Sequence, residues 1–242
     1  MPQINRGYGL IELLIVLLVS TYLMIFLVQY YAISQHHAAN TQISLRQVYD
    51  IQLIIDFLRN SVRHAGFTPC RSIKHLQLAN TIQPIAINFG PNKALKIVRM
   101  GEFFATASAI LSKSSIMVRA IGDLHRHDAI LIADCVHAEI NVIQAIQRLQ
   151  TGYKIILKKS MQFNYVHAIY IGKWIEELFF IRRDKFGKSI FYYQNKHIEA
   201  MSQIIADWKM LLLQKHSSIL LKLKLLTLDH QLWPISIAVR SP

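Results

Sequence analysis

Glycine and proline are scarce, with 9 Gly and 6 Pro in 242 residues. With no low-complexity tract and no internal repeat, that scarcity argues against a collagen-like or disordered chain. Acidic residues are also few, 14 Asp and Glu against 27 Lys and Arg, which leaves a formal charge of +13. Such a balance suits polyanionic partners: nucleic acid, acidic lipid headgroups or anionic surface polymers. Yet the cations are scattered, and Arg182-Arg183 and Lys158-Lys159 are only pairs. A solvated basic surface accounts for them equally. No nucleophile elbow, phosphate-binding Gly loop or His-Glu-x-x-His occurs. The chain therefore reads as a non-enzyme, with no cofactor and no metal expected.

Histidine is plentiful, with 11 residues, but its placement is bland. His125 and His127 share a face if their stretch is a strand, with Asp123 and Asp128 nearby. A polar loop before a strand explains the group without a metal. His36-His37 reads as solvated helix, and Asp134 beside Cys135 as a loop residue. The aromatics, 11 Phe, 10 Tyr and 3 Trp, concentrate between Tyr153 and Tyr193. Interleaved with Lys and Arg they could stack on bases. Core and cross-strand pairing is the favoured reading.

The dominant feature is an apolar run from Leu10 to Ile33 broken by one carboxylate, Glu12. A charge at the edge of a bilayer core costs several kcal/mol by rough estimates and is usually paired and functional. Leu10 to Val28 alone approaches the ~20 residues that span a bilayer. The preceding leader is too short for a secretory signal, and no small-x-small site follows. Positive charge ahead of the run, on Arg6 and the starting amine, places the N-terminus in the cytoplasm. Everything after Tyr31 then lies outside the cytoplasmic membrane, where disulfides persist. Cys70 and Cys135 are accordingly expected to be bridged. Neither has metal-ligand spacing to a second Cys. Closing that loop would stabilise by roughly 4 kcal/mol on the chain-entropy account.

The run continues as one helix. A polar neck, Ser34 to Gln42, leads into a stripe of Val48, Ile51, Ile55, Leu58 and Val62, spaced 3, 4, 3 and 4, a helical period. Gly66 gives a stop, and Pro69 follows. A loop-rich stretch is expected from Cys70 to about Pro91, including Asn80-Thr81 and Gly90-Pro91-Asn92. Strand candidates are Leu95 to Met100, Ser115 to Ala120, Ala129 to Ala133, Ile140 to Ile146, Tyr153 to Leu157, and Met161 to Ile171 ended by Gly172. Leu178 to Arg183 and Ser189 to Tyr193 form a hairpin about Asp184-Lys185-Phe186-Gly187. Ile198 to Leu213 fits helix or strand. Ile219 to Leu228 and Ile235 to Arg240 close the domain, with Pro234 at a turn or strand start. The fold class is α+β: a long N-terminal helix packed on a mostly antiparallel β-sheet domain.

The stretch Arg6-Gly7-Tyr8-Gly9-Leu10-Ile11-Glu12-Leu13 resembles the type IV prepilin signal. That signal is a short leader ending in Gly, then an aromatic residue, then Leu-Ile-Glu-Leu opening an apolar helix. Tyr8 replaces the usual Phe, and Gly9 the usual Thr or Ser. Gly9 offers a second cleavage point, but cutting after Gly7 places Glu12 fifth, where a helix N-terminus favours a carboxylate. The segment Phe57 to Cys70, with its basic helix end, Ala65-Gly66, Phe67 and Cys70, is similar to PilW-type minor pilins. So is His127 to Cys135.

The resemblance implies a pilin-like organisation. Residues 1–7 would be the leader, 8–33 the transmembrane and assembly half of the helix, and 34–66 its amphipathic half. Residues 67–242 would form an extracytoplasmic β-rich domain. It further implies peptidase cleavage between Gly7 and Tyr8, N-methylation of Tyr8, and a register-setting role for Glu12. The expected function is that of a minor pilin that primes assembly of a type IV pilus and sits at its tip. The protein would move from the inner membrane to the periplasm and pilus tip. Its partners would be other minor pilins, the major pilin, the prepilin peptidase, the assembly platform and a tip adhesin. A type II secretion minor pseudopilin is the near alternative. A DNA-binding uptake pilin using a basic surface is the alternative of another class.

Overall fold

The computed structural model describes residues 9–79, 82–90, 93–166, 168–215 and 218–239. The expected leader, Gly7 and Tyr8, the Asn80-Thr81 turn, Pro91-Asn92 and Arg240 lie outside the described residues. The chain divides into two units, 1–52 and 53–242. One helix, α1 (Leu10–Arg63), runs through both stretches of sequence.

In the first unit no Gly or Pro interrupts the helix. The apolar part, Leu10–Ala38, is long and apolar enough to cross a membrane, and none of it is buried. At 1.5 Å per residue it spans roughly 43 Å. Its hydroxyls are satisfied internally: Ser20 Oγ donates to Leu17 O and Thr21 Oγ1 to Leu18 O, each at 2.9 Å. Such back-bonding lets polar side chains sit in an apolar stretch at little cost.

The second unit opens with the last turns of α1. Ile54, Ile55, Leu58 and Val62 are buried there, whereas Val48 of the expected stripe, in the first unit, is exposed. The helix ends near its expected stop. Gly66 takes φ +69°, and a Cβ on it would lie 2.9 Å from Pro84 Cβ, so glycine is required on two counts.

Among the described residues thirteen strands follow. A 3-10 turn at Ile73–His75 precedes β1 (Gln77–Leu78) and β2 (Ile85–Phe89). β2 corrects the expected loop. Five residues after a buried Pro84 are enough to pair with β3 (Ala94–Ser112). Then come β4 (Ser115–Val118), β5 (Ala129–Ala133), β6 (His137–Leu149) and β7 (Gly152–Leu157). β8 (Tyr170–Arg183) and β9 (Ser189–Gln194) form the expected hairpin, and β10 (Ile198–Ser202) extends it. β11 (Ile205–Lys215), β12 (Ser218–Thr227) and β13 (Leu232–Ala238) make a separate three-stranded sheet. The ambiguous Ile198 to Leu213 stretch is thus strand. All pairings are antiparallel except β1 with β6, so the fold is α+β.

Six strands close on themselves in the order β3-β4-β7-β6-β5-β8 and back to β3. A barrel this small is filled by side chains. Ala105, Ile116, Val118, Ile130, Ile132, Ile143, Ile155, Leu157 and Ile171 fill it, alternating with outward residues.

Residues 161–166 and 168–169 are not strand, which corrects the sequence expectation of a strand from Met161. Their apolar side chains Met161, Tyr165 and Ile169 join the barrel interior instead of a ladder. Their backbone is tied irregularly, Met161 N to Lys113 O and Gln162 N to Glu139 Oε2. Gly172 does not end a strand either; it lies inside β8. There β8 passes so close to β3 that a Cβ would meet Met100 Cγ at 2.5 Å.

The long strands β3 and β8 run on past the barrel. With β2, β9 and β10 they form an open sheet whose aromatics pair across strands. Phe179 faces Tyr193 and Phe180 faces Tyr192, with centroids 5.2 and 5.4 Å apart. Phe57 of α1 sets its ring edge-on to Phe179 and Tyr193 at 5.7 and 4.9 Å. Of the aromatic segment, Tyr165, Phe179, Phe180 and Phe191 are buried, and most of the others are half-buried. In the three-stranded sheet, Leu221, Leu223, Leu225, Ile235 and Ile237 turn inward while Lys222 and Lys224 face out. Pro234 is the third residue of β13, not a turn residue. As an outer strand, β13 tolerates the missing N–H.

Candidate functional site

Two groups of sequence-singled residues can be placed. Glu12 sits in the first turn of α1, exposed, its N–H donating to Gly9 O at 2.9 Å. It is the only Asp, Glu, Lys or Arg between Leu10 and Ala38. The positive end of the helix dipole lies on that turn and favours an anion there. Among the described residues Glu12 takes part in no ion pair. Leu10, Ile11, Leu13, Leu14 and the apolar positions that follow are all at least 49% exposed up to Val28. An exposed apolar surface of that size marks a membrane or protein contact.

Cys70 and Cys135 form a disulfide with Cα atoms 5.2 Å apart. It joins the loop after α1 to the turn between β5 and β6. That turn is held from within. Asp134 Oδ1 accepts the N–H groups of Val136 at 2.7 Å and His137 at 2.5 Å. Burial pushes the Asp134 carboxyl up, but those N–H groups and the His137 ring outweigh it and hold it below its ordinary value. The His137 ring stacks on Phe163 at 4.8 Å. Glu139, 4% exposed, accepts Gln162 N at 2.8 Å. Burial nonetheless raises its pKa, offset in part by Gln162 and Tyr165.

A third buried carboxylate, Glu177 of β8, is one that sequence reasoning missed. It meets Arg99 of β3 and the Tyr193 hydroxyl, each at 3.3 Å. Burial, then the charge of Glu177, pushes the Tyr193 phenol up to about 12. Arg99 continues to Glu102 at 3.5 Å, and Glu102 to His64 at 3.9 Å. The available signal was an acid among the aromatics and aliphatics of an otherwise buried strand. The network fixes β3 against β8 below the end of α1.

The histidines near β5 have a different environment from a metal site. Lys173 Nζ lies 2.8 Å from Asp123 and 3.6 Å from Asp128, and Lys196 lies 3.7 Å from Asp128. Ammonium groups stand where a cation would. His127 occupies the left-handed region at φ 69°, a turn residue. No group of three or more potential ligands occurs among the described residues. Beside the end of α1, a cavity of about 290 Å³ is lined by Arg63, His64, Phe67, Pro69, Ser72 and Glu102.

No family model, curated protein or solved structure matches this chain. The geometry therefore carries the functional argument. Its most distinctive element is the wholly exposed apolar helix with one carboxylate in its first turn.

Proposed function

We propose that the protein is a type IV minor pilin, one that primes fibre assembly from the inner membrane and becomes part of the pilus tip. The observation that carries this reading is Leu10–Ala38: apolar, membrane-length, unburied, and interrupted only by Glu12 in its opening turn. The resemblance around Gly7 to Leu13 supplies the direction. After cleavage behind Gly7, Tyr8 would carry a methylated amine, and Glu12 would be the fifth residue.

The physics of register follows. In lipid the helix can keep Glu12 at the interface, near water. When helices bundle, the apolar faces pack equally well at many axial offsets, because their contacts are non-directional. The carboxylate does not tolerate many offsets. Left unpaired in a low-dielectric bundle it costs several kcal/mol; paired with a neighbouring subunit's amine, most of that cost is offset. One charge pair thus selects one axial offset. The disulfide-closed β domain supplies the extracytoplasmic part, and no catalytic step is assigned to it.

Mass spectrometry of the N-terminus from native membranes tests the reading. A chain beginning at methylated Tyr8 is expected; an intact chain beginning at Met1 overturns it. In the same preparations Glu12→Ala is expected to be inserted in the membrane but depleted from sheared fibres. Normal incorporation would sink the register role.

A further inference from the structure

The β8–β9 hairpin ends in Arg182-Arg183-Asp184-Lys185-Phe186-Gly187-Lys188. Four cations surround one aromatic ring that is 87% exposed. Asp184 does not neutralise them from a free position: its Oδ1 accepts the N–H groups of Phe186 and Lys188, each at 2.8 Å. Its own N–H donates to Lys188 O at 2.9 Å, and Gly187 at φ 77° closes the turn. The loop is therefore a formed turn, with its acid committed to the backbone. Some strand cations elsewhere do meet acids, Lys96 with Glu176 at 2.7 Å and Lys173 with Asp123 at 2.8 Å. Arg182, Arg183, Lys185 and Lys188 have no ion-pair partner among the described residues. Folding alone does not explain a cluster of like charges around an exposed Phe.

The end of the ribbon that carries them pairs with no third strand, although Ala206, Asp207 and Trp208 of β11 lie beside its base. Pairing of β8 with β3 stops at Phe179, and pairing of β9 with β10 stops at Phe191. Beyond those residues only the pairs Arg182–Ile190 and Arg183–Ser189 continue. A two-stranded ribbon of two residue pairs projects roughly 7 Å before its turn. At its base a cleft of about 480 Å³ is lined by Lys93, Arg183, Ser189 and Asp207 among others. The Asp207 carboxylate there accepts Trp208 N at 2.8 Å.

We propose that this hairpin is a double-stranded DNA contact, the ribbon tip entering the major groove with its cations on the flanking phosphates. The groove is about 12 Å wide and about 8.5 Å deep and admits a two-stranded ribbon. Successive strand residues point to opposite faces. Arg182 and Arg183 therefore reach the two phosphate walls of a groove. Lys185 and Lys188 flank the turn, and Phe186 meets base edges, where a thymine methyl is a suitable partner. An acidic bilayer fits less well, since Phe186 is the only large apolar side chain the turn offers to it. The proposal is independent of the pilin reading, which concerns residues 8–12.

The test is DNA binding by the full chain in neutral detergent, measured by fluorescence anisotropy on a duplex across a salt series. Four phosphate contacts predict a slope of log K against log salt of about −3.6, a loss of roughly 100-fold between 50 and 200 mM salt. Replacing Arg182, Arg183, Lys185 and Lys188 by Gln should flatten the slope by about 3 to 4. Phe186→Ala should weaken binding with the slope unchanged. A Lys209→Gln, Lys222→Gln, Lys224→Gln variant, on the exposed face of the three-stranded sheet, should bind as the parent does. The proposal is overturned if the hairpin variant keeps the parent slope, or if the sheet variant flattens it equally. It is also overturned if the hairpin variant loses binding to phosphatidylglycerol vesicles while DNA binding is unchanged.

Discussion

Replacing Cys70 and Cys135 by Ser should weaken the protein mainly through its unfolded state. The bridge closes a loop of 65 residues that runs from the end of α1 through β1 to β5. On the chain-entropy account a loop of that length is worth about 4 kcal/mol. The native geometry around it does not depend on sulfur. Gln77 N donates to Val136 O at 2.7 Å beside the bridge, Met100 N to Phe67 O at 3.0 Å, and Gly66 N to Val98 O at 2.8 Å. Ile73, Leu76, Met100, Leu131, Ala133 and Ala138 pack together beneath it, all under 9% exposed. Hydrogen bonds and packing thus hold the joined loops together without the bridge.

The assay is equilibrium urea unfolding of the full chain in neutral detergent, followed by tryptophan fluorescence. Trp174 packs against the cluster beneath the bridge, so the probe reads the relevant region. With a urea slope of about 2 kcal/mol per molar, the midpoint should fall by roughly 2 M. Parent protein reduced and alkylated should unfold with the Ser variant. A loss below about 1 kcal/mol would refute the entropic argument. Loss of a single cooperative transition would refute the claim that native contacts survive without the bridge.

Two further outcomes follow from the barrel. Gly172→Ala should cost about 1–3 kcal/mol by overpacking against Met100. In a Met100→Ala background the added cost should shrink, a non-additivity read by a double-mutant cycle; full additivity would show that Met100 is not the obstacle. Glu139→Gln should flatten the dependence of stability on pH above 4.5, the ordinary value for that carboxyl. Because its folded value is raised, the native state holds the proton longer. Stability therefore falls as pH rises from 4.5 through the folded value, and glutamine removes that fall. Asp134 acts with the opposite sign and at lower pH: its contribution is present above its ordinary 3.8 and lost as pH falls through the lowered folded value. Melting temperatures across the acid range separate the two, and an unchanged slope in the glutamine variant would refute the assignment.

What could be read from the sequence was local. Ala129 to Ala133 reads as a strand because an Ile and Leu run is bounded by Asp on both sides, and β5 has those limits. Gly66 announces the end of α1, and the Asp184 to Gly187 turn announces its hairpin, through residues within a few positions of each other. What could not be read was non-local. Barrel closure depends on β3 meeting β8, as in the pair Ala105 with Ile171, and no window of sequence contains both. The apolar content of Met161 to Ile169 was visible, but not that Tyr165 and Ile169 would fill a barrel instead of pairing in a ladder. Gly172 illustrates the same limit. A glycine at the end of a strand and one at a close strand crossing look alike until the crossing partner is known. The cysteine pair was legible because cysteine is a chemical exception in its neighbourhood. Glu177 is an exception too, but its partners Arg99 and Tyr193 come from other strands.

The helix itself carries two codes, and their difference bears on assembly. From Leu53 to Arg63 only one face is apolar, and Ile54, Leu58 and Val62 are 1% exposed or less. That face is covered by the chain's own fold. From Leu10 to Ala38 the helix is apolar all round and none of it is buried. Apolar burial of such a surface accepts lipid or any helix alike. Discrimination between partners needs an element whose energy changes sign with geometry, unfavourable when unmatched and favourable when matched. Over those positions Glu12 is the only Asp, Glu, Lys or Arg, and so the only residue with that property at full strength. Under the proposed reading, the apolar helix makes association favourable and the carboxylate decides which association counts. Removing Glu12 should therefore leave the helix as adherent as before, while the choice of register is lost.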